Sequence, residues 1–135
     1  MLFRSHHFKT PEFQGWEILN NSFKPYAACH LVHPSVDAAL GAGIPPSKIK
    51  SAHARVSPLA MQMTGLANGR PETPLAAKFD LRYCIALALH GRTVSAADFR
   101  EPWRPDSAVL ALAERIEAAI DPEIGFAAAQ PGSRR

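Results

Sequence analysis

The stretch TPLAAKFDLRYCIALALHG, residues 73–91, constrains the fold more than any other part of the chain. Thr73 suits a helix N-cap, and Pro74 suits the first helical position, where a missing N–H is no loss. Leu75, Phe79 and Tyr83 then recur four residues apart on one face, while Lys78 and Arg82 share another. The end, CIALAL, is apolar all round, so the helix predicts its own burial and other elements must surround it. Gly91 is placed to end it as the C′ residue.

What surrounds it must come in short pieces, because twelve prolines and eight glycines punctuate the chain. GWEIL, residues 15–19, alternates Trp16 and Ile18 against Glu17 and reads as a short strand. Residues 22–33 read as a loop, in which Pro25 discourages helix. HPSVDAALGAG predicts a helix with His33 as N-cap, Pro34 at the first position, and Gly41 or Gly43 at the end. SAHARVS alternates Ala52, Ala54 and Val56 against Ser51, His53 and Arg55, a weak strand pattern. LAMQMTGL reads as a short helix. Asp106 then caps a helix whose stripe is Val109, Leu112, Ile116 and Ile120. Propensity favours helix to the end of that stripe, although Ile116, Ala118 and Ile120 also fit a strand. Asp121-Pro122 stops either one. Helices and weak strands mixed in this order predict an α+β fold. The expected organisation is a poorly ordered start over 1–13, one domain over 14–124 and a disordered tail over 125–135.

Several classes are disfavoured. No apolar run approaches the roughly 18 residues a membrane span needs, and the start carries no secretory pattern. Cys29 and Cys84 form no CxxC pair, which argues against a zinc site or disulfide framework and favours a reducing cytoplasm. The net charge of +3 comes from scattered Lys and Arg rather than a basic stripe, so nucleic acid is not the expected partner. Small anions suit that modest excess at least as well.

The chemistry-bearing residues cluster in SFKPYAACHLVHPSVDAAL, residues 22–40. Lys24, fixed in a loop by Pro25, can present its ammonium to an anion or, if desolvated, act as a base; the plain alternative is a surface lysine. His33 stands at a helix N-terminus, where an imidazole can bind an anion or move a proton; otherwise it is a half-buried polar cap. Cys29 and His30 are neighbours whose side chains diverge, so a nucleophile pair is not implied. Cys29, His30 and His33 lack a fourth ligand at sensible spacing, so no metal is expected. Arg70, in the loop before the long helix, can clamp a carboxylate in a bidentate fashion or simply face solvent.

Four blocks in order carry a family resemblance. WEILNNSFKPYAACHLVHPSVDAAL resembles the segment that opens the smaller domain of the MmgE/PrpD enzymes, which include 2-methylcitrate dehydratase, cis-aconitate decarboxylase and iminodisuccinate epimerase. PSKIKSAHARVSPLAM resembles the strand and turn that follow. RPETPLAAKFDLRYCIALALHGR resembles the family helix with its P-x-T-x-x-x-A-K-F-S-x-x-Y pattern, and DFREPWRPDSAVLALAERIEAAIDPE the segment after it. The resemblance covers roughly Gly15 to Glu123, most of the chain.

The resemblance implies cofactor-independent enzymes acting on small di- and tricarboxylic acids. They remove a proton next to a carboxylate, then lose water or carbon dioxide, or re-protonate. It also implies a large all-helical domain, a smaller α+β lid, usually as dimers, and an active site between the two. By that likeness Lys24 matches the active-site lysine that contacts substrate carboxylates. Cys29 falls where some members place a pocket histidine, and His33 matches the histidine of an HP pair. Ala27, Ala28 and Asp80 replace a proline, a cysteine and a serine frequent in the family, which bears on substrate more than on fold. The helical domain has no counterpart in this chain. The expectation is therefore a lid fragment that supplies carboxylate-binding residues, inactive alone, working with a helical-domain partner or a second copy. The alternative is a non-catalytic binding or assembly module derived from that family.

Overall fold

The computed structural model describes Trp16, Ile18 and residues 21–125. The expected strand over 15–19 falls largely outside these residues, as do the expected disordered start and nearly all of the tail. Among the described residues the fold is α+β. It contains five α-helices, α1 (His33–Gly41), α2 (Pro58–Ala60), α3 (Pro74–Lys78), α4 (Leu81–Leu89) and α5 (Ser107–Ala113), and two strands, β1 (Ala52–Val56) and β2 (Ile116–Ile120). No described helix is long and apolar enough to cross a membrane.

Helix α4 is the centre, as its all-round apolar sequence predicts. Leu81, Tyr83, Cys84, Ile85, Ala86, Leu87 and Ala88 are all buried. Around it pack Val32 and Val36 from α1 and its approach, Val109 and Leu112 from α5, and Ile116 from β2. Its C-terminus closes as expected. Gly91 takes φ +73°, its N–H donates to the Ala88 carbonyl at 2.8 Å, and the Arg92 N–H donates to Leu87 at 3.0 Å.

The single helix expected from 74 to 90 is instead two. The chain leaves helical geometry at Phe79 and is extended at Asp80. Asp80 is the cause, because a short carboxylate competes for backbone N–H groups and favours a cap over a helix interior. Its Oδ1 accepts from the Tyr83 N–H at 3.0 Å and starts α4 afresh. Its Oδ2 reaches back to the Gly69 N–H at 2.9 Å and anchors the preceding loop. Burial pushes the Asp80 carboxyl up, while those N–H groups and the Arg82 guanidinium pull it back. Gly69 itself adopts φ +80°, and a Cβ there would lie 3.0 Å from the Ala113 backbone. Gly69→Ala is therefore expected to lower stability by about 2–4 kcal/mol, combining left-handed strain with a forced contact; an unchanged urea midpoint would refute this.

The alternating reading of residues 52–56 holds, with Ala52, Ala54 and Val56 inward and His53 and Arg55 exposed. At the other end, helix gives way to strand. Helix α5 stops at Ala113, and Ile116–Ile120 form β2, against the propensity for helix and with the alternation. The two strands pair in parallel, Ala52 with Ile116 and Val56 with Ile120. Parallel pairing requires a crossover, which α2 through α5 provide.

Candidate functional site

The loop before α1 is stitched to the core by its backbone. The Ala27 N–H donates to the Val94 carbonyl at 2.9 Å, and the Cys29 N–H to the Lys78 carbonyl at 2.8 Å. The second bond exists because α3 ends at Lys78 and leaves that carbonyl without a helical partner. The break at Asp80 thus positions this loop. Val94, fully buried, sits at φ +50°, an unusual conformation for a β-branched residue, and its carbonyl is the loop's other anchor.

Two of the residues singled out from the sequence meet on one atom. The Lys24 Nζ donates to the Ala28 carbonyl at 3.5 Å, and His33 Nε2 lies 3.3 Å from the same oxygen. A carbonyl only accepts, so Nε2 is the protonated nitrogen in this contact. The long lysine contact leaves ammonium hydrogens available to another acceptor. The His33 ring is buried, with Tyr26 packed edge-on at 5.2 Å and His30 tilted against it at the same distance. The Tyr26 hydroxyl donates to Asp37, one turn further along α1.

Helix α1 begins one residue earlier than expected. His33 is its first residue, behind Val32, and no side chain caps it. A 3₁₀ turn over His30–Val32 runs straight into the helix, and the His33 N–H donates to the His30 carbonyl. Part of the expected anion-attracting helix start is therefore already satisfied, and the positive charge at this end comes from Lys24.

Burial holds the His33 imidazole below its usual range. The Ala28 carbonyl opposes this, and His30 and Lys24 add repulsion. The folded chain binds this proton less tightly than the unfolded one. The His33 contribution to stability is therefore full above the unfolded value of 6.5 and is lost as pH falls through 6.5 toward the lower folded value. Urea midpoints are expected to fall from pH 7 to pH 5, with a shallower fall in His33→Gln; equal slopes would contradict the assignment.

The other two expected site residues make different contacts. Arg70 is exposed and engaged by Glu114 at the end of α5, with its backbone N–H held by Asn68. The Cys29 side chain is half-buried, and its environment includes Cys84, whose Sγ donates to the Ala77 carbonyl at 3.4 Å. Burial pushes the Cys84 thiol well up, so it stays protonated. The two cysteines, 55 positions apart in sequence (84 − 29), converge on the end of α3, which no spacing rule could reveal. The Lys78 Nζ lies 5.8 Å from the Phe99 ring centroid. Among the described residues no group of three His, Cys, Asp or Glu side chains is arranged for a metal. A cavity of about 440 Å³ lies between α1 and the sheet; its lining is mostly apolar and does not include Lys24.

Residues 26–134 match the model of the MmgE/PrpD C-terminal domain. The chain belongs to the MmgE/PrpD family. The match covers most of the chain and the same smaller domain whose motifs the four sequence blocks resemble. No curated protein matches the chain. The α+β architecture described above is that of an MmgE/PrpD C-terminal domain as its motifs predict, with the AKF block at the end of α3 and the following tyrosine, Tyr83, inside α4.

Proposed function

We propose that the chain supplies the cationic half of a carboxylate site in a cofactor-independent lyase or isomerase of the 2-methylcitrate dehydratase type, acting on small di- or tricarboxylates. The observation that carries this reading is the convergence of Lys24 and His33 on the Ala28 carbonyl. A substrate carboxylate replacing that long contact would gain a full charge-assisted hydrogen bond. The His33 Nε2–H, held on the Ala28 carbonyl, fixes that carbonyl beside the ammonium. Removing a proton next to a carboxylate builds negative charge, and a fixed ammonium stabilises it most as it develops. Lys24 and His33 form only one wall, so the acid–base groups come from a helical-domain partner, and this chain alone binds without turning over.

Titration with citrate tests the proposal. Amide shifts are expected to concentrate at Lys24, Ala28 and His33 and to saturate; shifts spread evenly over the surface, or none, would sink it. Partner association is favoured by the exposed apolar side chains Phe23, Leu66 and Leu75, at 96%, 79% and 66% exposure. Sedimentation of the chain as a concentration-independent monomer would remove the second-copy version of that partner.

A further inference from the structure

A second polar cavity, of about 390 Å³, opens between the end of α4, the 3₁₀ turn Ala96–Phe99 and the start of α5. Three arginines line it, Arg92, Arg100 and Arg104, beside Tyr83 and Trp103. Its two carboxylates are already committed. Asp98 accepts from the Ser95 N–H at 2.8 Å and from Arg92 Nε at 2.7 Å. Asp106 caps α5 through the Ala108 N–H at 2.8 Å and faces Arg92 at 3.9 Å. Glu101, next in the chain to Arg100, turns back to the Trp103 N–H at 2.9 Å. Arg92 is thereby neutralised, whereas Arg100 and Arg104 have no hydrogen-bond or ion-pair partner among the described residues.

The floor of the cavity makes the independent case. Tyr83 is 1% exposed and lines this space, yet its hydroxyl has no hydrogen-bond partner among the described residues. The fully buried side-chain polar atom without a partner among the described residues is Arg82 Nε, so the Tyr83 hydroxyl keeps contact with the cavity's solvent and is free to donate there. Its ring is held by Trp103, centroids 5.8 Å apart, and the Trp103 indole N–H is fixed on the Pro71 carbonyl at 3.1 Å. Burial pushes the phenol up to about 12, so at neutral pH it remains a donor. Two guanidiniums without partners and one O–H free to donate, around the same space, are the donors a multivalent oxyanion requires.

We infer that this cavity is a binding site for a small multivalent oxyanion, a phosphate ester or a polycarboxylate, held by Arg100, Arg104 and the Tyr83 hydroxyl. It shares no residue with the Lys24–His33 pair.

Calorimetric titration of the full chain with pyrophosphate and, separately, with citrate tests the inference and distinguishes the two ligand chemistries. Saturable binding of at least one is expected in Lys24→Ala, whose change lies outside this cavity. In that background, Arg100→Ala with Arg104→Ala is expected to weaken it at least about tenfold. Tyr83→Phe, which deletes only the hydroxyl, is expected to weaken it about three- to tenfold, the range for one hydrogen bond. Both arginines are exposed, so their loss leaves the fold intact as read by circular dichroism. Absence of saturable binding of either anion in Lys24→Ala, or binding that survives the double arginine variant, overturns the inference.

Discussion

Asp80→Ala is expected to destabilise the folded chain by about 2–4 kcal/mol. Two terms set that size. Losing the N-cap on Tyr83 costs about 1 kcal/mol, and leaving the buried Gly69 N–H without an acceptor adds about 1–3 kcal/mol. The change also strips the nearby Arg82 of a counter-charge. Arg82 holds the Ala67 carbonyl at 2.6 Å, but its Nε is buried without a partner. Asp80→Ser separates the terms, because a serine hydroxyl restores the cap on Tyr83 but supplies no second oxygen for Gly69. Its loss is expected to be about half as large. Urea unfolding followed by circular dichroism measures both. An alanine variant within about 0.5 kcal/mol of the parent would mean that Asp80 does not hold the junction between α3 and α4.

Lys24→Ala carries the largest expected functional effect. Combined with a helical MmgE/PrpD domain and assayed for 2-methylcitrate dehydration, the variant is expected to lose about 10²–10³ in kcat/KM, the loss typical of removing one donor from a developing anion. Lys24 is exposed and its one contact is long, so stability should hardly move. A turnover loss with unchanged urea midpoint therefore points to chemistry rather than unfolding. A change of less than about threefold would exclude Lys24 from the reacting site.

Much of this fold was legible because local signals agreed. Thr73, Pro74 and Gly91 stand where helix ends need them, and CIALAL forecast the buried core of α4. The break at Asp80 was not legible. Leu75, Phe79 and Tyr83 keep helical spacing across it, and only the side chain's bonds to Tyr83 and Gly69 show that the helix restarts. β2 was ambiguous because Ile116 and Ile120 satisfy both periodicities, and tertiary pairing with β1 decided between them. At the candidate site, sequence could name Lys24 and His33 singly. Their meeting depends on the turn that brings both to the Ala28 carbonyl, and that turn is fixed by bonds to Lys78 and Val94, far along the chain. The arginine–tyrosine cavity lay hidden for the same reason. Tyr83 reads as part of a helical stripe, and nothing local reveals that it lines a cavity with Arg100 and Arg104.

The parallel pairing of β1 with β2 has a kinetic consequence. Each strand residue meets a partner 64 positions away, as in Ala52 and Ile116 (116 − 52). Such a loop must close before the pairing contributes anything. The turns of α4 and α5 form from neighbours in sequence and can assemble first. The sheet should therefore close late in folding. Until it does, the edges that β1 and β2 turn to each other stand open to another chain, so slow refolding at high concentration is when this domain is most exposed to aggregation.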